Sequence, residues 1–200
     1  IKSIEFEKDS KLEIIDIGSF VQIPLSKITI PSSVKLINDS AFAYSKLNCI
    51  IFDKNSQLIV IGMEAFIQCP IEFISIPSKV ETIGNKSFDS CSNLKQVFFP
   101  NNSELLFIER YAFKNSSIER IKIPSKTLKI KQHAFINCKK LKQIEFEKNS
   151  ELRSIGKFCF YSSSISCISL PSKLLIVKRS AFSFCKNLQL IEIPEISESI

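Results

Sequence analysis

The sequence predicts a β-rich solenoid, a curved, right-handed stack of coils with one parallel β-sheet, short 3-10 or helical turns and little regular helix. Three observations predict this fold: a phenylalanine recurs every 22 to 25 residues, a proline recurs in every second interval, and a strand pattern follows each phenylalanine. A motif that returns at such a period is the signature of stacked structural repeats. The phenylalanines are Phe20, Phe42, Phe66, Phe88, Phe113, Phe135, Phe160 and Phe182.

The repeating unit is a pair of coils. The phenylalanine spacings alternate, at 22, 24, 22, 25, 22, 25 and 22 residues, and Pro31, Pro77, Pro124 and Pro171 follow one another at 46, 47 and 47. We therefore predict a single domain over residues 1–200, with about eight coils in alternating 22- and 24/25-residue units. Because the chain begins with isoleucine rather than methionine, we expect it to be a fragment of a longer protein.

Each coil contributes one strand to the predicted sheet. The pattern L-x-x-I-x-[I/F] follows the phenylalanine, as in Leu94, Val97 and Phe99. Its last apolar positions alternate as in a strand, and β-branched isoleucine favours that conformation. The positions five and eight residues before the phenylalanine are aliphatic too, with Thr127 as the single break. Nine strands are predicted, beginning at Ile1, Leu25, Leu47, Ile71, Leu94, Ile118, Leu141, Ile165 and Leu188.

The two coil types differ in the turn that follows the strand. Short coils continue with Pro-Ser, as in IPSKV (76–80), and proline ends the strand because it lacks an amide donor. Long coils carry F-x-x-[N/D]-S-x-L, as in FEKNSEL (146–152), which predicts a turn closed by a side chain onto the backbone. The segment after each repeat phenylalanine, as in AFINC (134–138), is expected to form a single helical or 3-10 turn.

Charge and hydropathy exclude two classes of function. The net charge is +7, but lysines alternate with glutamates and form no single basic column, so we predict no binding to nucleic acid. The sequence contains no apolar stretch of about 18 residues, so we predict no membrane insertion within this segment.

These motifs closely resemble the BspA-like leucine-rich repeat, L-x-x-I-x-I-P-x-x-V-x-x-I-G-x-x-A-F-x-x-C. Residues 71–91, IEFISIPSKVETIGNKSFDSC, are the best copy, with Ser87 in place of alanine. The resemblance extends over essentially the whole chain. The long-coil FEKNSEL variant and the bias toward isoleucine, lysine, asparagine and serine resemble the sets of such proteins in mucosal protozoan parasites.

The resemblance implies a leucine-rich repeat solenoid on a cell surface or in secreted form. Its implied role is that of an adhesin-like module whose partner is a protein, for example a host surface or matrix protein. The family's repeat positions are structural, so the resemblance transfers no catalytic residue and no cofactor. An intracellular location stays open, and so do two alternative roles: an intracellular leucine-rich repeat scaffold and a structural spacer.

The cysteines and the single histidine form no catalytic or metal-binding pattern. No C-x-x-C motif occurs, and no nucleophile elbow or phosphate-binding loop accompanies His133, so we predict neither an enzyme nor a metal site. His133 lies in a column of varied residues, which we interpret as exposed and unconstrained.

The cysteine positions predict structural thiols rather than a disulfide framework. Five are predicted to be buried, with a bridge between Cys69 and Cys91 in adjacent coils as the alternative. Cys49 and Cys167 occupy outward strand positions, where we expect free thiols. The five buried cysteines are Cys69, Cys91, Cys138, Cys159 and Cys185.

One group of outward side chains is a candidate protein-binding patch. The third and fifth strand positions are predicted to face solvent, and there Ile51, Phe73 and Phe98 form an apolar cluster across three coils. Arg120 and Lys122 border it. Exposed apolar groups rimmed by charge are typical of protein interfaces. The alternative is that strand-favouring residues are simply scattered on this face.

Overall fold

The described part of the chain forms seventeen short strands, which pair in two kinds of ladder. The computed structural model describes residues 3–7 and 9–193, and within these ranges no helix occurs. The odd-numbered strands are β1 (Ser3–Ile4), β3 (Lys27–Ile30), β5 (Cys49–Phe52), β7 (Phe73–Ser75), β9 (Gln96–Phe98), β11 (Arg120–Ile123), β13 (Gln143–Phe146), β15 (Cys167–Ser169) and β17 (Leu190–Glu192). The even-numbered strands are β2 (Ile14–Ile15), β4 (Leu36–Ile37), β6 (Val60–Ile61), β8 (Thr82–Ile83), β10 (Phe107–Ile108), β12 (Lys129–Ile130), β14 (Ser154–Ile155) and β16 (Ile176–Val177).

The odd-numbered strands confirm the predicted stack of parallel coils. Each of the nine begins two residues after the predicted start. Equivalent residues of successive coils pair in parallel, as Arg120 with Gln143 and Ile123 with Phe146 do in β11 and β13. We call the surface formed by the outward side chains of these strands the strand face.

The even-numbered strands form a second sheet that the sequence did not predict. All eight pair in parallel and in order, from β2 to β16. Their second residue is the aliphatic position five residues before the repeat phenylalanine, and it is buried in every coil up to Ile155. A two-residue strand contains no alternation of apolar and polar residues, so its sequence shows no strand period.

Stacked phenylalanine rings run through the core. Successive repeat phenylalanines have ring centroids 5.1–5.4 Å apart and planes within 16° of each other. Offset stacking of this kind contributes beyond the burial of apolar area. Thr127, the break in the aliphatic column, occupies the core position itself, and its Oγ1 has no hydrogen-bond partner in the described residues.

The segment around each phenylalanine is a turn with two left-handed residues instead of the expected helical or 3-10 turn. The residue two positions after each phenylalanine has φ of 56–60°. Around Phe42, the N–H groups of Ser40, Phe42 and Tyr44 donate to carbonyls of the next coil, while the residues between them close turns within their own coil. The residues two positions before the phenylalanines, with φ of 54–61°, are Gly18, Ser40, Glu64, Lys86, Tyr111, His133, Phe158 and Ser180. We call this surface the turn face.

A candidate protein-binding site on the strand face

Strand pairing places the predicted patch residues on the outside. In β7 the exposure alternates, with Phe73 and Ser75 exposed and Ile74 buried between them, and β11 shows the same alternation. Ile51 is 41% exposed, Phe73 49% and Phe98 44%. The prediction that the third and fifth strand positions face outward is therefore confirmed for these side chains.

The strand face opens at every second step of the stack. Each short coil pairs with the long coil after it over three or four residue pairs, from β3 to β5, β7 to β9, β11 to β13 and β15 to β17. In the reverse step β1 and β3 share two pairs and β9 and β11 share one, whereas β5 and β7, and likewise β13 and β15, share none among the described residues.

The opening between β5 and β7 is a depression of about 510 Å³, which we call the apolar cleft. It brings Ile51, Phe73 and Phe98 together, as the sequence predicted. Two successive long turns form its end walls, and the short turn between them forms its floor. The turn residues that line it include Asp53, Asn55, Pro77, Ser78, Pro100 and Asn102.

Arg120 and Lys122 lie beside the apolar cleft rather than in it. They line a separate depression of about 300 Å³, which shares only Phe98 with the apolar cleft. Lys122 Nζ lies 3.6 Å from Glu147 Oε1, so its charge is partly compensated. The five patch residues thus form two adjoining sites.

Sequence reasoning missed a cation above the apolar cluster. Lys95 Nζ lies 5.8 Å from the centroid of the Phe73 ring and is ion-paired with Glu72. A cation over an aromatic face is attracted by the ring quadrupole. The register of β7 and β9 decides this contact, which spacing along the chain does not show.

The seven cysteines are free, as predicted, and five are buried. In the column three residues after the phenylalanine, the thiol donates to the phenylalanine carbonyl of the preceding coil, as Cys69 Sγ does to Phe42 at 3.1 Å. Burial raises the pKa of Cys69 to about 11 and that of Cys138 to about 12, which keeps both thiols protonated. Cys49 is half-buried and Cys167 exposed on the strand face.

The interpretation of His133 as exposed and unconstrained was wrong. Its ring stacks between Tyr111 and Phe158, with centroids 4.7 Å and 5.4 Å away. Its Nδ1 is buried and has no hydrogen-bond partner in the described residues. Burial, followed by the charges of Lys157, Arg110 and Lys114, lowers the pKa of His133. This neutral ring belongs to an aromatic stack on the turn face.

Within residues 3–7 and 9–193, no group of three or more histidine, cysteine or acidic side chains is arranged to hold a metal ion. In the same part of the chain, no helix has the length and apolar character needed to cross a membrane.

Comparison with known proteins relates the chain to one repeat family. The model of the BspA type leucine rich repeat region, in six copies, matches residues 13–106 and 106–200. No curated protein gives a significant match.

Two solved structures share the fold. The pneumococcal vaccine antigen PcpA is 23% identical, with a TM-score of 0.68, over 97% of this chain and 64% of that one. A leucine-rich repeat protein from Bacteroides ovatus is 23% identical, with a TM-score of 0.67, over 98% of this chain and 63% of that one. The chain therefore spans less than two thirds of the length of either structure.

Proposed function

This chain belongs to the BspA-type leucine-rich repeat family, and we propose that it is a non-enzymatic protein-protein interaction module of a cell-surface or secreted adhesin, with host surface or matrix proteins as its partners. A solenoid presents an extended face made of many coils, which suits contact with another protein. A vaccine antigen of the same fold favours a surface location.

The apolar cleft carries this proposal. Ile51, Phe73 and Phe98 are each more than 40% exposed, and the register of the strands gathers them at one opening. Large apolar side chains in a concave site are the groups that dominate binding energy when a partner excludes water from them. Arg120 adds a positive charge beside the cleft, whereas Lys122 and Lys95 are ion-paired with Glu147 and Glu72.

The alternative of an intracellular scaffold rests on the thiols. Seven free cysteines suit a reducing compartment, where disulfides are rare. The scaffold would use the same strand face, so the two alternatives differ in location rather than in the binding surface.

Membrane-impermeant labelling of intact source cells, read with an antibody to this repeat region, tests the location. We expect labelling without permeabilisation. Labelling that appears only after permeabilisation would contradict the adhesin role and favour the scaffold.

Binding of the purified chain to immobilised matrix proteins and to host cells tests the surface. We expect Phe73→Glu combined with Phe98→Glu to abolish binding, because two charges in the apolar cleft would oppose desolvation. Ile59→Glu combined with Met63→Glu is the matched control, since these side chains are 39% and 42% exposed outside the cleft. A loss of binding that is equal in both double variants would argue against the patch, and unaltered binding in the first would exclude it.

A further inference from the structure

In one coil pair, the carboxylate of Glu147 lies against the short Pro-Ser turn of the preceding coil. Glu147 Oε2 accepts a hydrogen bond of 3.0 Å from the Ser125 N–H, and Glu147 Oε1 lies 3.6 Å from Lys122 Nζ. The Glu147 side chain is 13% exposed. A hydrogen bond from an amide to an ionised carboxylate is stronger than one between neutral groups. In this coil pair the Pro-Ser turn thus binds a carboxylate, which the next long coil supplies.

The apolar cleft has the same floor without the carboxylate. Ser78 corresponds to Ser125, and Pro100 corresponds to Glu147, each 22 residues further along. Among the described residues, no hydrogen bond from the Ser78 N–H occurs. An acceptor from another molecule can therefore take the place that Glu147 occupies in the other coil pair.

Pro100 also shortens the sheet at this point. The Glu147 N–H donates to the Ile123 carbonyl at 3.0 Å, and proline has no N–H with which to do the same. Consistently, β11 and β13 pair up to Ile123 and Phe146, whereas the pairing of β7 and β9 ends one residue earlier, at Ser75 and Phe98.

In three coil pairs, burial of the floor proline follows the residue at the covering position. Pro31 and Pro124 are buried, and the long coils that follow them carry Asp53 and Glu147 at the covering position. Pro77, followed by Pro100, is partly exposed and lines the apolar cleft. Where proline replaces the acid, the floor proline is therefore more exposed.

Charge at the floor favours an anion as well. In two short coils, the lysine after the Pro-Ser pair forms an ion pair with a glutamate of the preceding long coil. These pairs are Lys126 with Glu104 and Lys173 with Glu151. The corresponding Lys79, next to Ser78, instead donates to the neutral amide oxygen of Gln57. Its positive charge is uncompensated by an ion pair among the described residues. Asp53, which lines the cleft, is the opposing charge.

We propose that the apolar cleft binds an extended peptide of a partner protein in which an acidic residue lies between apolar residues. The carboxylate accepts from the Ser78 N–H, and the apolar neighbours pack on Phe73 and Phe98. This inference rests on the proposed function, because it specifies the chemistry of the same site.

A titration followed by NMR tests the chemistry directly. The probe is the peptide N-acetyl-Leu-Glu-Leu-amide, added to the ¹⁵N-labelled chain, and the readout is the Ser78 amide resonance. We expect a saturable downfield shift of the Ser78 amide proton, and roughly tenfold weaker binding of the glutamine analogue because a charge-assisted bond becomes neutral. Equal binding of both peptides, or no saturable shift at Ser78, would overturn the proposal.

Two variants separate the floor site from general charge effects. Pro100→Glu places a carboxylate where Glu147 stands in the other coil pair, so we expect it to occupy the Ser78 amide and block the peptide. Asn101→Glu makes the same charge change on an exposed residue of the same turn that does not line the cleft, and it should leave binding within about twofold. Equal binding by the two variants would contradict the proposed position of the carboxylate.

Different results would refute the proposed peptide chemistry and the proposed function. If neither peptide binds at Ser78 but Phe73→Glu with Phe98→Glu still abolishes matrix binding, the carboxylate chemistry is wrong and the binding surface stands. If that double variant binds matrix proteins normally, the apolar cleft is not the binding surface, and if the parent chain binds neither matrix proteins nor host cells, the proposed function itself is wrong.

Discussion

The strand face and the turn face are built by the same repeat but constrain it differently. On the strand face, the outward positions carry residues as different as Phe73 and Arg120 on extended backbone, which any residue can adopt. On the turn face, the residue two positions before each repeat phenylalanine also varies, from Gly18 to Lys86 to His133, yet its φ stays at 54–61° in all eight coils.

This difference teaches that variety in a column measures side-chain freedom and not backbone freedom. A left-handed conformation costs a non-glycine residue roughly 1–2 kcal/mol, and seven of the eight residues in this column are not glycine. The cost is offset because alternate N–H groups of the turn bond to the next coil, as at Ser40 and Phe42. We therefore expect stability to depend on the core and the turn face far more than on the strand face.

The largest expected effect is the removal of one ring from the phenylalanine stack. Phe113 is fully buried, with rings on both sides at 5.3 Å and 5.2 Å. Phe113→Ala should lower the free energy of unfolding by about 3–5 kcal/mol, measured by denaturant titration. The exposed Arg120→Ala on the strand face should change it by less than about 0.5 kcal/mol. Similar losses of unfolding free energy for the two substitutions would contradict this expectation.

A smaller effect is expected where two coils approach most closely. A Cβ on Gly156 would lie 2.3 Å from the backbone nitrogen of Gln132 and from the carbonyl carbon of Lys131. Gly156→Ala should therefore lower the free energy of unfolding by about 1–3 kcal/mol, because backbone atoms must shift. Thermal unfolding measures this change. Lys178→Ala, at the equivalent exposed position of the next coil, is the control and should leave the stability almost unchanged.

In the column of left-handed residues, replacing glycine and introducing glycine should change the stability of the fold in opposite directions. Gly18 has φ of 61°, so Gly18→Ala should destabilise the chain by about 1 kcal/mol. Ser40 has φ of 54°, and Ser40→Gly should stabilise it by up to about 1 kcal/mol, reduced by the greater freedom of the unfolded chain. Thermal unfolding of both variants decides the matter, and a destabilised Ser40→Gly would show that this backbone strain is unimportant.

The smallest effect is a pH dependence that comes from His133. Burial and the charges of Lys157 and Arg110 lower its pKa in the folded chain below the ordinary 6.5, so the unfolded chain binds the proton more readily. The contribution of His133 is therefore fully present above about pH 6.5 and is lost as the pH falls through the folded pKa.

The variant His133→Phe keeps an aromatic ring in the stack and cannot titrate. The stability difference between the variant and the parent chain, measured from about pH 8 to pH 5, should grow in favour of the variant as the pH falls. Parallel curves for the two proteins would contradict this assignment.

The sequence by itself determined the coil stack, the nine odd-numbered strands, the buried thiols and the outward position of Ile51, Phe73 and Phe98. These features follow from local periodicity: a strand alternates every two residues, a coil returns every 22 to 25, and both periods are visible in one dimension. Because every coil stacks on its neighbour, a position that is apolar in all coils must face the core.

Only the tertiary structure decided how neighbouring coils meet. The second sheet, the stacking of His133 on Tyr111 and the opening between β5 and β7 all depend on contacts between residues more than 20 positions apart. At the apolar cleft β5 and β7 do not pair, and Pro100 stands where Glu147 covers the floor of another coil pair. A repeat pattern specifies what each coil contains, and the packing of unlike coils against each other creates the site.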